Sequence, residues 1–269
     1  IVAVASPYPH ERLAETLDSE VTLRDNVIRS TKTTVKMANG TVNLKDVHVE
    51  PLAKTLGVGA TDIDGVDFAQ LMRDLGVAAH PHVTWDIAEV HMANFGGTLD
   101  PIKLDGDFTA VTKNFGLYDR HVAEQSRQRL VGFSEAKVGA HFAVRPDSVQ
   151  FKNAHGELAH SHVEGGFVLI GFDNKLRVEV PKASVGLVDI TPLASLPIAG
   201  QADVQVHVGP DMGDPKVTGD GSITGFSRAG MPFGNVTALH AELDGEVLTL
   251  KNVKAQKNKS TYEMPQATL

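Results

Sequence analysis

Three copies of one short phrase limit the fold of this chain more than any other feature. They read Thr41-Val-Asn-Leu-Lys-Asp-Val-His-Val49, Ser148-Val-Gln-Phe-Lys-Asn-Ala-His-Gly156 and Val247-Leu-Thr-Leu-Lys-Asn-Val-Lys-Ala255. The central Asp or Asn falls at 46, 153 and 252, in steps of 107 (153 − 46) and 99 (252 − 153). Within each copy the apolar residues alternate and then change parity across the Lys-Asp/Asn pair. Val42 and Leu44 give way to Val47 and Val49, Val149 and Phe151 to Ala154, and Leu248 and Leu250 to Val253 and Ala255. In a straight strand this would turn the second half to the wrong face. The spacing therefore predicts a bulge or corner at Lys45-Asp46, Lys152-Asn153 and Lys251-Asn252. A tight turn between two short strands is the alternative. Strands bent at matching places would fold a sheet over on itself like a gutter.

Steady self-similarity also implies units that need their neighbours to bury an apolar face. A second motif, Asp100-Pro-Ile-Lys-Leu-Asp-Gly-Asp107, is echoed by Asp214-Pro-Lys-Val-Thr-Gly-Asp220. Period two dominates elsewhere. Val204, Val206 and Val208 alternate with Gln205 and His207, Val138, Ala140, Phe142 and Val144 with Gly139, His141 and Ala143, and Val178 and Val180 with Arg177 and Glu179. Each reads as a strand with one apolar face. Asn39-Gly40, Asp105-Gly106, Asp173-Asn174, Asp220-Gly221 and Asp244-Gly245 read as hairpin turns, because these residues tolerate positive φ. Val66–Leu75 places Phe68, Leu71, Met72 and Leu75 on one helical face, and Pro9–Leu17 suits a second short helix. Asp119–Arg129 is polar enough for a loop or a solvated helix.

The expected fold is all-β: one long antiparallel repeat sheet curled into an open hydrophobic groove, with one or two short helices. The array should run through residues 1–269 in approximate units 30–135, 136–235 and an incomplete 236–269. About 18 strands at ~4.8 Å would give a groove on the order of 85 Å long. The start at Ile1-Val-Ala-Val, without Met, suggests a piece of a longer chain.

Composition excludes several function classes. A net charge of −8 and 6% aromatic residues argue against nucleic-acid binding, which needs basic patches and stacking platforms. With no cysteine there is no disulfide framework and no thiolate metal site. No apolar run approaches the ~18 residues of a spanning helix. His80-Pro-His82 and His160-Ser-His162 have the i, i+2 spacing that sets two imidazoles on one side of a strand. No third ligand is placed by motif, so neither a metal nor another cofactor is expected. The Asp-rich stretches Asp105–Asp107 and Asp211–Asp214 read as turns rather than calcium loops. Asn39, Asn235 and Asn258 open Asn-x-Ser/Thr triplets that read as chance occurrences in turns. No nucleophile elbow, phosphate-cradling loop or dinucleotide fingerprint is present, and no enzyme activity is expected.

From Leu196 onward a recognisable order appears: Leu196-Pro-Ile-Ala-Gly200, an alternating strand, Asp214-Pro-Lys-Val-Thr-Gly219, Met231-Pro-Phe-Gly234, then the Leu-Thr-Leu-Lys-Asn-Val phrase. This resembles the repeats of the bacterial AsmA-like superfamily, most closely its TamB branch, over about 75 C-terminal residues. The earlier unit keeps only parts of the pattern, at Asp100–Asp107 and Thr41–Val49. The resemblance implies a β-taco fold, an anchor in the inner membrane through an N-terminal segment outside this sequence, and a place in the periplasm. It further implies phospholipid as cargo and a TamA-like outer-membrane barrel as partner, met through regions absent here.

On this basis the expected function is a lipid-transfer conduit between the two membranes, not an enzyme. Its expected lining is Val42, Leu44, Val47, Val49, Val149, Phe151, Val178, Val180, Val204, Val206, Val208, Leu248, Leu250 and Val253. Each methylene kept from water favours an acyl chain in the groove by roughly 0.8 kcal/mol, and a valine wall offers nothing polar to pin it. The alternative is a structural or assembly scaffold for outer-membrane β-proteins. It would act through an exposed strand edge and carry no lipid.

Overall fold

The computed structural model describes residues 14–67, 70, 83–118, 129–173, 175–189, 197–211, 216–244 and 247–268. Two compact units divide the chain, Ile1–Pro146 and Asp147–Leu269. The first unit contains β1 (Thr16–Ser19), β2 (Thr22–Arg24), β3 (Val27–Met37), β4 (Gly40–Glu50), β5 (Thr55–Asp64), β6 (Val83–Leu99), β7 (Ile102–Tyr118) and β8 (Arg129–Val144). The second contains β9 (Ser148–Glu157), β10 (His162–Gly171), β11 (Leu176–Gly186), β12 (Ile198–Gly209), β13 (Lys216–Arg228), β14 (Met231–Asp244), β15 (Val247–Lys257) and β16 (Ser260–Thr268). All belong to one antiparallel sheet of 16 strands in chain order, except that β1 and β2 both pair with β3. The all-β expectation holds, with 16 strands instead of about 18.

The meander follows from the local chemistry. Alternating residues give each strand two unlike faces, and short polar turns return the chain beside itself. Ala38-Asn39 turns between β3 and β4 with both residues at positive φ, and Asp25-Asn26 does the same between β2 and β3. Two expected turns are corrected. Asp105-Gly106 lies inside β7 and Asp220-Gly221 inside β13. These glycines make room rather than turn the chain. A Cβ on Gly106 would sit 2.9 Å from the Phe142 ring, and one on Gly221 would sit 2.7 Å from a Val204 methyl.

No helix is among the named elements. Phe68, Leu71, Met72 and Leu75 of the expected helix lie outside the described residues, as does most of Pro9–Leu17. The end of that second span is strand, because Thr16 and Leu17 pair with Lys36 and Val35. Residues 119–128 and 212–215 also lie outside the described residues.

The repeated phrase bends where its parity changes. Asp46, Asn153 and Asn252 have φ of 53°, 52° and 53°, in the left-handed region. The bend is a corner more than a lasting bulge. Around Asp46 the register to β3 and β5 is the same on both sides. Around Asn153 and Asn252 a local offset against β10 and β14 is undone within a few residues. The corner does restore the facing. Thr33 and Ser30, which face Leu44 and Val47, hydrogen-bond to each other at 3.1 Å on one side of the sheet.

Strong curling needs an accumulating stagger between neighbours. The offsets at the corners cancel, whereas shifts within β11/β12, β12/β13 and β6/β7 persist, and neither unit shows the pronounced curl expected from the parity break. The sheet is not closed: among the described residues β1 pairs only with β3, and β16 only with β15.

Among the described residues no thick core is present. More than half of the fully buried apolar residues are alanines, among them Ala110, Ala136, Ala140, Ala143, Ala183 and Ala202. The first unit holds an aromatic cluster. There Phe142 stacks on Phe95 with ring centres 5.5 Å apart and meets Phe108 edge-on at 6.2 Å. Elsewhere the sheet is held by its backbone ladder and by cross-strand pairs, each worth about 0.2–1 kcal/mol.

Candidate functional site

Directly paired residues on neighbouring strands share a face, so the register draws the apolar surface row by row. In the second unit one row is Phe151, Val168, Val178, Val208, Val217, Leu243 and Leu248, crossing β9 to β15 without a polar interruption. Beside it run Val180, Val206, Gly219, Ala241, Leu250 and Ala267. Val149 is joined to Ile170, Val204 to Ala183 and Gly221, and Val253 to Met264. In the first unit Val42 belongs to the row Leu17, Val35, Val42, Ile63, Val90, Ala110 and Val138, from β1 to β8. Leu44 joins Thr33, Thr61, Met92, Phe108 and Ala140, and Val49 joins Ile28 and Leu56. Val47 faces Ser30.

The fourteen expected lining residues thus fall into rows, each inside its own unit. All fourteen are half-buried. A side chain enclosed in a packed core would be buried, and one isolated on a loop would be exposed. Half-burial at all fourteen positions is what an apolar sheet face shows when its own neighbours are its main cover. Sequence reasoning missed Val168, Val217, Leu243, Ile63, Val90 and Met92. In Phe167-Val-Leu-Ile170 a continuous apolar run hides the parity, and only the pairing shows that Val168 and Ile170 take the apolar face.

Polar side chains dominate the opposite face, with Phe167 and Leu169 among them. In the second unit a depression of about 710 Å³ is lined by Lys182, Asp203, Gln205, Asp220, Ser222 and His240 together with Ala183, Val204 and Leu239. Ion pairs cross the strands. Lys45 meets Asp62 at 2.9 Å, Lys251 meets Glu242 at 2.7 Å and Arg145 meets Asp105 at 2.7 Å. Hydrogen bonds from Lys45 and then His91 hold the Asp62 carboxyl below its usual range, and Arg145 does the same for Asp105. His240 has its Nδ1 2.7 Å from Asp220 and its Nε2 3.1 Å from Glu242. Those two bonds, Asp220 first, raise its pKa above the ordinary imidazole value.

The His160/His162 spacing does not build a metal pair. His160 lies in the bend between β9 and β10, where its ring meets Asp189 at 3.1 Å, while His162 in β10 meets Glu164 at 2.9 Å. Burial opposes ionisation of Asp189, but bonds from the Ser161 hydroxyl (2.6 Å), the His160 ring and the His160 N–H hold its pKa below the usual value. His80 and His82 lie outside the described residues. Among the described residues no group of three or more His, Asp or Glu side chains is placed to hold a metal ion, and no helix is long and apolar enough to cross a membrane. Chemically, the apolar rows offer dispersion contact and water exclusion to a long apolar molecule. No family model matches the chain, and neither do any curated protein or any solved structure.

Proposed function

We propose that this protein is a non-enzymatic lipid carrier whose apolar sheet face holds the acyl chains of phospholipids and lets them pass from strand to strand. The observation that supports it most is the uninterrupted row from Phe151 to Leu248, seven apolar side chains on seven successive strands, six of them half-buried and Leu243 exposed. An acyl chain lying along such a row crosses the strands at steps of ~4.8 Å and gains roughly 0.8 kcal/mol for each methylene withdrawn from water. The wall offers no directional contact that would trap it. In this proposal the apolar face of each unit cradles the chains as a shallow open gutter, bent at Asp46 in the first unit and at Asn153 and Asn252 in the second, with head groups left in water. The resemblance to AsmA-like repeats supports the same reading. It would place the chain in the periplasm, tethered to the inner membrane, and directed towards a TamA-like barrel in the outer membrane.

The test is native mass spectrometry with lipid extraction on the purified protein. Co-purifying phospholipid is expected, and it should be lost when Val204, Val206 and Val208 are made polar in a protein that still folds. A lipid-free protein under gentle conditions would overturn the proposal in favour of a scaffold that recruits β-strands.

A further inference from the structure

The strand register sets a histidine against a carboxylate at five boundaries. In the first unit His91 of β6 directly faces Asp62 of β5, and His141 of β8 faces Asp107 of β7. In the second, His162 of β10 faces Glu157 of β9, His207 of β12 faces Glu179 of β11, and His240 of β14 faces Asp220 of β13. The ring-to-carboxylate distances, in that order, are 2.8, 3.0, 3.9, 3.9 and 2.7 Å. Every acid is on an odd-numbered strand and every imidazole on the even-numbered strand that follows. A solvated sheet face accepts any polar residue, so folding alone does not require this order.

Each rung also contains a permanent cation. Lys45 holds Asp62, and Arg145 holds Asp105, which lies 3.6 Å from His141. Lys182 lies 3.5 Å from Glu164, the second acid of His162, while Arg177 binds Glu179 and Lys251 binds Glu242, the second acid of His240. Three of these cations cross the other kind of boundary: Lys45 joins β4 to β5, Lys182 joins β11 to β10, and Lys251 joins β15 to β14. Among the described residues, constant pairs at odd–even boundaries are Lys54–Asp100, at the end of β5/β6, Arg145–Asp105, Lys216–Asp244 and Lys254–Glu263. On their remaining sides the rings meet uncharged partners, Thr109 for His91, Ser184 for His162 and Thr218 for His207, whereas His240 faces Lys251.

We propose that this ladder is a proton-controlled brace: at these five boundaries charged imidazoles clamp the odd strand to the next even one, and their deprotonation loosens those boundaries while the sheet stays folded. The permanent cations keep the acids paired after the imidazoles lose their charge, so loosening need not become unfolding. The raised pKa of His240 agrees in sign: its contribution is complete below the unfolded value and fades as pH rises through the higher folded value.

Amide-resolved hydrogen exchange by NMR on the whole chain, between about pH 5.5 and about pH 8, tests the brace. After correction for intrinsic exchange chemistry, amides bonded across β5/β6, β7/β8, β9/β10, β11/β12 and β13/β14 should lose protection as pH rises. The loss should be about tenfold where the folded pKa stands a unit above the unfolded one. Amides bonded across β4/β5, β10/β11 and β14/β15 should change little. Equal loss at both kinds of boundary, or no loss at either, overturns the proposal. The variant His240→Gln keeps a hydrogen-bond donor but cannot titrate, so it should abolish the response at β13/β14 and leave that at β11/β12. A response that persists at β13/β14 in H240Q also overturns it.

Discussion

Gly106 contributes to the fold through the side chain it lacks. Its Cα faces Phe142 across β7 and β8, and the ring lies where a Cβ would project, 2.9 Å away, with the Phe95 Cα at 3.2 Å. Replacing it with valine pushes against the Phe95–Phe142–Phe108 cluster. Gly106→Val should lower stability by about 1–3 kcal/mol, read as a lower urea midpoint; an unchanged midpoint would show that the cluster yields freely. From sequence, Asp105-Gly106 looks like a turn because Asp-Gly suits positive φ equally well. The distinction lies in Phe142, which is 36 residues further along the chain and invisible to local reading.

His240 is the residue where charge decides. Its carboxylate neighbours favour the protonated ring, so its stabilising share is present in acid and disappears as pH climbs through the raised pKa. Asp220→Asn removes the largest cause, and the His240 imidazole should then titrate closer to its ordinary value in an NMR pH series. An unmoved titration would assign the shift elsewhere.

At the scale of the strand, the corner is the informative element. Residues at positive φ near 53° are tolerable for Asn and Asp, whose short polar side chains can bond locally, and costly for β-branched residues. Asn252→Val should therefore destabilise by about 1–2 kcal/mol, and Asn252→Gly should stay near the parent. If the valine variant is as stable as the parent, the corner carries no conformational demand. The corner was legible in the parity break of the repeated phrase because every copy carried Lys-Asp/Asn at the same place. The missing curl was not legible. It depends on whether a local offset accumulates across neighbours or is undone, as it is around Asn153 against β10. The histidine rungs share that limit. The sequence shows His207 and His240 only as polar-face residues, and the register alone sets them opposite Glu179 and Asp220.

For the whole chain, the question is whether the apolar rows are structural filling or a surface in use, and the two make opposite predictions for one variant. Val178, Val208 and Val217 are consecutive partners on β11, β12 and β13, all half-buried. Threonine keeps the valine shape and the β-branched preference for a strand while adding a hydroxyl to the face. In a sealed core, three buried hydroxyls without partners would cost about 1–3 kcal/mol each, enough to threaten a fold of ordinary stability. On a face open to water each hydroxyl is solvated, the backbone ladder is untouched, and little stability should be lost. An acyl chain crossing the row, however, would meet three polar groups where it had met methyls. The combined variant V178T/V208T/V217T should therefore melt within a few degrees of the parent yet retain markedly less co-purified phospholipid. Paired measurement of thermal unfolding and bound lipid separates the cases. A large fall in melting temperature would make the row a structural core, whereas unchanged stability with unchanged lipid would remove it from the path of the cargo.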